Sequence, residues 1–281
     1  MSRLKACFEQ LKSESKTALI PYVMTGDPAP EVTLPLMHAM VEAGANIIEL
    51  GAPFSDPMAD GPVIQAAAER SLASHTSLHD VLGVARKFRE TDNQTPIVVM
   101  GYLNPVEVMG YEVFAQQAAE CGVDGVITVD MPPEEADEYI KALGKHNIDP
   151  IFLIAPTTTE ERIRKIGAVA SGFVYYVSLK GVTGAATLDM DSVTEKVNII
   201  RKHIKLPIGV GFGISNAEVA ASVSVCADAV VVGSAIVSRM AANSEQKQGQ
   251  TSTIVGQVSE LLVSMRLAMD ATDDGSVKRA R

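Results

Sequence analysis

The sequence predicts an α/β fold closed into a (β/α)8 barrel, and three observations carry that expectation. Eight short, continuous apolar runs rich in Val and Ile recur along the 281 residues, as parallel strands buried on both faces read. Amphipathic stretches with helix-start signals separate them, and strand–helix alternation repeated eight times in one chain argues for closure. The alternative, an open doubly wound sheet, lacks its dinucleotide fingerprint: in Gly209-Val210-Gly211-Phe212-Gly213-Ile214 the place of the last required glycine is taken by Ile214.

Apolar Leu4, Cys7, Phe8 and Leu11 at helical spacing place an extra N-terminal helix over residues 2–13, covering one end of the fold. The strand-like runs follow at Ala18–Val23, Ala45–Leu50, Pro96–Met100, Gly125–Val129, Pro150–Ile154, Phe173–Val177, Pro207–Val210 and Ala227–Val232. Helical patterns at 62–73 and 78–91 put an extra helix between strands 2 and 3. Pro132-Pro133-Glu134-Glu135 reads as a helix start, with proline and acid in the first turn. Thr157-Thr158-Thr159-Glu160-Glu161 does the same through a capping box. Asn243 to Thr253 is a Gln- and Ser-rich linker, and Ile254 to Met269 reads as a last helix. Residues 1–269 are thus expected to form a single barrel domain, and 270–281, charged and aperiodic, a disordered tail.

Composition narrows the function. A formal charge of 24 − 34 = −10 disfavours nonspecific nucleic-acid binding and leaves any anionic substrate to be captured by local groups. No stretch approaches the roughly 18 uninterrupted apolar residues of a membrane span, and the first residues lack a signal peptide's apolar middle. Cys7, Cys121 and Cys226 are odd in number and share no ligand spacing, as in a reduced, cytoplasmic protein.

The chemistry is expected at the strand ends, where barrel active sites are built. The second strand ends at Glu49 and runs into Gly51-Ala52-Pro53-Phe54-Ser55-Asp56-Pro57-Met58-Ala59-Asp60-Gly61. Asp56 and Asp60 read equally well as turn and capping residues. Neither a turn nor a cap explains a carboxylate that terminates an apolar strand, and burial there raises its pKa toward proton-transfer duty. Tyr22, Met100, Tyr102, Ile127, Val129, Leu153, Tyr175 and Phe212 would line a partly aromatic pocket. The competing reading makes them layers of the barrel core.

Two glycine-bearing loops close the series. Gly211-Phe212-Gly213-Ile214-Ser215 and Val232-Gly233-Ser234-Ala235-Ile236 follow the last two strands, and a helix starting near Ser234 would turn its positive end toward a phosphate. Neither loop contains Lys or Arg, so backbone donors and a hydroxyl would do the binding. Metal sites are not expected. His75 and His79 lack a third ligand, and the Glu49, Asp56 and Asp60 set is the weaker alternative for Mg2+. No covalent nucleophile motif is present, and Lys180 is the lone lysine near a strand end.

The run ELGAPFSDPMADGP with Val63-Ile64-Gln65 resembles the signature of the tryptophan synthase alpha chain family. The resemblance continues in PYVMTGDP, MGYLNP, GVTGA, GFGIS and VVGSAIV, and so covers nearly the whole chain. It implies a TIM-type (β/α)8 barrel and retro-aldol cleavage of indole-3-glycerol phosphate to indole and glyceraldehyde 3-phosphate, in L-tryptophan biosynthesis. It implies Glu49 as the acid that protonates the indole ring and Asp60 as the partner of the ring N–H. It implies Tyr22, Tyr102, Tyr175, Thr183 and Phe212 around the substrate, with Thr183 holding the sixth loop against Asp60. Gly184, Gly213, Gly233 and Ser234 would take the phosphate. The implied partner is a beta chain, in an alpha2beta2 assembly, that carries pyridoxal phosphate, while this chain holds no cofactor of its own. Leu179 departs from the basic residue that many members carry in the sixth loop. Two rival readings remain beside this one, a sugar-phosphate isomerase barrel and a catalytically silent barrel that regulates a synthase.

Overall fold

The structure, a computed structural model, describes residues 2–178, 189–211, 213–244 and 250–273. Eight parallel strands close in sequence order: β1 (Ala18–Met24), β2 (Ile48–Gly51), β3 (Ile97–Gly101), β4 (Gly125–Thr128), β5 (Asp149–Ile154), β6 (Val174–Val177), β7 (Ile208–Gly211) and β8 (Ala229–Val232), with β8 paired back to β1. Each lies on one of the apolar runs, and the largest discrepancy is at β2. There Ala45, Asn46 and Ile47 precede the ladder, because the Asn46 side chain itself accepts the Leu19 N–H at 2.9 Å. The same device recurs along the barrel floor. Asp124 and Asp228 accept the first N–H groups of β3 and β7, at 2.8 Å from Ile97 and 2.9 Å from Ile208, so strand starts are satisfied without a further strand residue.

Around the strands run α1 (Arg3–Ser13), α2 (Pro30–Glu42), α3 (Pro62–Ala73), α4 (Leu78–Arg89), α5 (Leu103–Met109), α6 (Tyr111–Glu120), α7 (Asp137–Lys145), α8 (Glu160–Val169), α9 (Met190–His203), α10 (Ala217–Ser224), α11 (Ser234–Ala241) and α12 (Gln250–Asp273). Helix α1 plugs the floor: Leu4 and Phe8 pack with Ile127, Ile151 and Phe173, the two phenyl rings 5.8 Å apart. Helices α3 and α4 fill the gap between β2 and β3 as expected, and Ser77 and Asp80 cap α4 reciprocally.

Three boundaries differ from the sequence expectation. A second helix pair, α5 and α6, follows β3, hinged at Gly110 with φ of 85°. The helix expected at Pro132 begins at Asp137, because Glu135 N–H closes a turn onto the Pro132 carbonyl. Helix α12 continues past Met269 to Asp273, into the stretch expected to be a tail. An Arg266–Asp270 ion pair at 2.7 Å and a Thr272–Ser224 hydroxyl bond at 2.8 Å hold its last turns. The remainder of that stretch, 274–281, lies outside the described residues.

Side chains alternate along each strand. In β2, Ile48 and Leu50 face the helices in the outer core, while Glu49 and Gly51 face the barrel axis. A third, smaller cluster of Tyr22, Met24, Ile64, Ala67, Ala68 and Val237 packs near the mouth.

Candidate active site

Strand alternation turns Glu49 into the barrel, and the neighbouring strands seal it. The side chain is 1% exposed, and neither carboxyl oxygen has a hydrogen-bond partner among the described residues. Burial, and secondarily the charge of Asp60, push its pKa up to about 8. At neutral pH the group is therefore predominantly a carboxylic acid, with a proton to give.

The loop after β2 brings Asp60 to the same space. Tyr102, which precedes α5, donates its hydroxyl to Asp60 Oδ2 at 3.1 Å and accepts the Ala59 N–H at 3.0 Å. Phe54 stacks on the Tyr102 ring with centroids 5.3 Å apart, and Gln65 ties the Asp60 carbonyl to α3 at 2.8 Å. Burial raises the Asp60 pKa while the Tyr102 bond opposes the rise. The neighbouring Asp56 is different: it is exposed and hydrogen-bonds Ser55. Of the two loop aspartates, Asp56 takes the turn role and Asp60 the site.

Glu49 and Asp60 line a cavity of about 140 Å³ together with Tyr22, Tyr175 and Met100. Two glycines make this packing feasible. A Cβ on Gly51 would lie 2.2 Å from the Tyr22 hydroxyl, and one on Gly211 would lie 2.2 Å from the Tyr175 hydroxyl. Across the cavity stand Gly213, Gly233 and Ser234. Helix α11 starts there, and its own hydrogen bonding begins with the N–H of Ile236 on the Gly233 carbonyl. The N–H groups of Ser234 and Ala235 precede that bonding, at the positive end of the helix. No lysine or arginine is among the described lining residues.

Not every expected residue lines the cavity. Ile127 and Leu153 pack in the inner core with Ile151 and Phe173 and are absent from the lining. Val129 and Tyr102 are also absent from the lining, Tyr102 acting on the site through Asp60. Thr183, Gly184, Leu179 and Phe212 lie outside the described residues. The sequence reading gave no site role to Ile64, in the first turn of α3, or to Val231 of β8, and it named Ile214, Ser215 and Ala235 only as members of the two glycine loops. Membership of those loops was the available signal for the last three. Among the described residues no group of three or more His, Cys, Asp or Glu side chains could hold a metal ion.

The cavity thus brings a helix N-terminus flanked by two glycines and two carboxyl groups of unlike environment to one space. Comparisons with known proteins agree on one family. The sequence profile of the tryptophan synthase alpha chain matches residues 8–265. The tryptophan synthase alpha chain of Thioalkalivibrio sulfidiphilus is 61% identical over 96% of this chain and 100% of its own length. That of Nitrosococcus oceani is 56% identical over 98% and 100%. Among solved structures, tryptophan synthase subunit alpha from Legionella pneumophila superposes with a TM-score of 0.89 at 45% identity, covering 96% of this chain and 99% of that one. A chain of Mycobacterium tuberculosis tryptophan synthase gives 0.85 at 34% identity, covering 95% and 98%.

Proposed function

This chain belongs to the tryptophan synthase alpha chain family, and from that premise we propose which of its side chains carry the reaction. The protein is a carbon–carbon lyase of tryptophan biosynthesis, cleaving indole-3-glycerol phosphate to indole and glyceraldehyde 3-phosphate. An indole carbanion is a poor leaving group, so the ring must be protonated at C3 before the bond to the glycerol chain breaks. Glu49 supplies that proton. The hydroxyl on the adjacent chain carbon then loses its proton to the Glu49 carboxylate, its oxygen forms the aldehyde carbonyl, and the electrons of the broken C–C bond return to the ring. Glu49 ends in the state in which it began. Asp60 accepts the ring N–H and stabilises the positive charge that develops there.

One observation carries this assignment: a buried, unpartnered Glu49, its pKa raised by burial, shares a cavity with a Tyr102-anchored Asp60. Tyr22 and Tyr175 flank the ring and chain, and Tyr102 holds Asp60. Gly213, Gly233 and Ser234 bind the phosphate through backbone N–H groups and a hydroxyl, joined by Gly184. Thr183 and Phe212 belong to the expected substrate-binding set and lie outside the described residues, and the loop at 53–61 helps keep water from the intermediate. The carboxyl pair distinguishes this reading from an isomerase or a silent regulator, neither of which needs an acid facing an aspartate across an indole. Indole release from indole-3-glycerol phosphate by the purified chain alone tests it, and no release at any concentration would refute it.

The family implies a beta-chain partner. We place its docking surface around the acidic loop and α5, where Met58 and Val108 are 85% and 83% exposed and Tyr102 links the two segments. An alpha2beta2 assembly would pass indole across that face. Family membership implies that pyridoxal phosphate is carried by the partner beta chain. No helix among the described residues is long and apolar enough to cross a membrane, and a cytoplasmic location suits a biosynthetic lyase with three free cysteines.

A further inference from the structure

Tyr22 bridges the two chemical ends of the cavity. Its ring packs against Gly233, where a Cβ would lie 3.6 Å from Cδ1, and its hydroxyl reaches over Gly51 on β2. Glu49 is its register partner on that strand. One edge of the phenol thus touches the loop assigned to phosphate, and its far end stops two residues mouthward of the acid.

The hydroxyl is poorly satisfied where it sits. The side chain is 5% exposed, and the one hydrogen-bond partner of its oxygen among the described residues is the Met24 sulfur at 3.9 Å, a weak acceptor. Buried phenols ordinarily find something stronger. Burial, then the charges of Asp60 and Glu49, hold its pKa well above the usual value, so it stays a neutral O–H able to donate or accept.

We propose that the Tyr22 hydroxyl hydrogen-bonds a hydroxyl of the substrate's three-carbon chain and thereby selects a polyol phosphate over a plain alkyl phosphate. The inference rests on the site reading above. With the phosphate at Ser234 and the indole at Asp60, the chain between them must pass along Tyr22. Met100, Ile64 and Val231 supply apolar wall around it and cannot recognise a hydroxyl. A site built to bond a hydroxyl rejects an analogue that lacks it, because its own polar group is then left buried and unpaired.

The test is Tyr22→Phe, which keeps the ring and its contact with Gly233. Indole release measures kcat/KM for indole-3-glycerol phosphate. Inhibition by indole-3-propanol phosphate, which keeps ring and phosphate but has no chain hydroxyl, measures the rest of the site. The variant should lose about tenfold in kcat/KM while the inhibition constant of the propanol phosphate stays within about twofold of wild type. Unchanged kcat/KM would overturn the proposal, and so would a parallel loss for both compounds, which marks a packing role alone. If the wild-type enzyme cleaves the substrate yet ignores the propanol phosphate, the site reading itself falls, and this inference with it.

Discussion

Asp60 Oδ2 lies 3.1 Å from the Tyr102 hydroxyl, which in turn accepts the Ala59 N–H at 3.0 Å. A single phenol therefore fastens both the carboxylate and the backbone of the acidic loop. Replacing it in Tyr102→Phe removes the one bond that holds the Asp60 pKa down against burial. Asp60 must be ionised to stabilise a cation, so the acid limb of the kcat/KM profile should move to higher pH. A profile that superposes on wild type would show that Tyr102 merely fills space.

Asp60→Asn tests the carboxylate itself. The amide can still accept the ring N–H but no longer neutralises the charge that develops there. By analogy with removing a transition-state partner, the loss should be about 3–4 kcal/mol, or several hundredfold in kcat. A drop of less than tenfold would take Asp60 out of the assigned role.

Glu49→Gln keeps the shape of the acid and removes its proton. Cleavage should vanish, while affinity for a phosphate-bearing ligand, measured by calorimetry, should persist because the anion site stands across the cavity. In the wild-type enzyme the acid must be protonated, so kcat/KM should fall as pH rises through about 8. A rate that climbs through that pH would assign the proton to another group.

The same carboxyl links stability to pH. Its folded pKa of about 8 exceeds the ordinary carboxyl value, so between those two values the folded state binds the extra proton. Folding stability from this group is then greatest at or below the unfolded pKa and is lost as pH rises toward 8. Glu49→Gln has no such proton to lose. Its melting temperature should gain on wild type progressively from about pH 5 to pH 8, and a difference independent of pH would contradict the burial of a neutral acid.

Much of this was legible from the sequence because buried parallel strands read as apolar runs, and a lone Glu at the end of one has few bland explanations. That Glu49 faces the barrel axis is set by the strand's alternation in the structure, which a run apolar on both faces does not reveal. What escaped needed depth and distance. Ile127 and Leu153 pair in register with Met100 and Tyr175, yet they pack into the inner core and do not line the cavity. Asp56 and Asp60 both precede turn-forming residues, and only Tyr102, 42 positions away, separates them. The fit of two tyrosine hydroxyls over Gly51 and Gly211 is a relation between neighbouring strands that no local pattern encodes. Helix α5 is seven residues long, too short to announce itself by periodicity.

The acidic loop also depends on a pair outside the cavity. Asp27, in the loop after β1, is fully buried, and Arg70 of α3 grips it with two bonds of 2.6 and 3.0 Å. One residue on, Ser71 donates to the Thr25 carbonyl at 2.6 Å, so α3 is riveted to the first loop, and the N-terminus of α3 follows directly on Asp60-Gly61. Arg70→Ala leaves a buried carboxylate without its partner, a change that typically costs about 3–5 kcal/mol. Arg70→Met should be damaging for the same reason, since its stem restores packing but not charge. Asp27→Asn in the Arg70→Met background replaces the stranded charge with a neutral amide and should recover part of the loss. Denaturant melts of Arg70→Met, of Asp27→Asn alone and of the double variant close the cycle: full additivity of the two substitutions would mean that the residues act independently, and that the first loop is not what holds α3 in place.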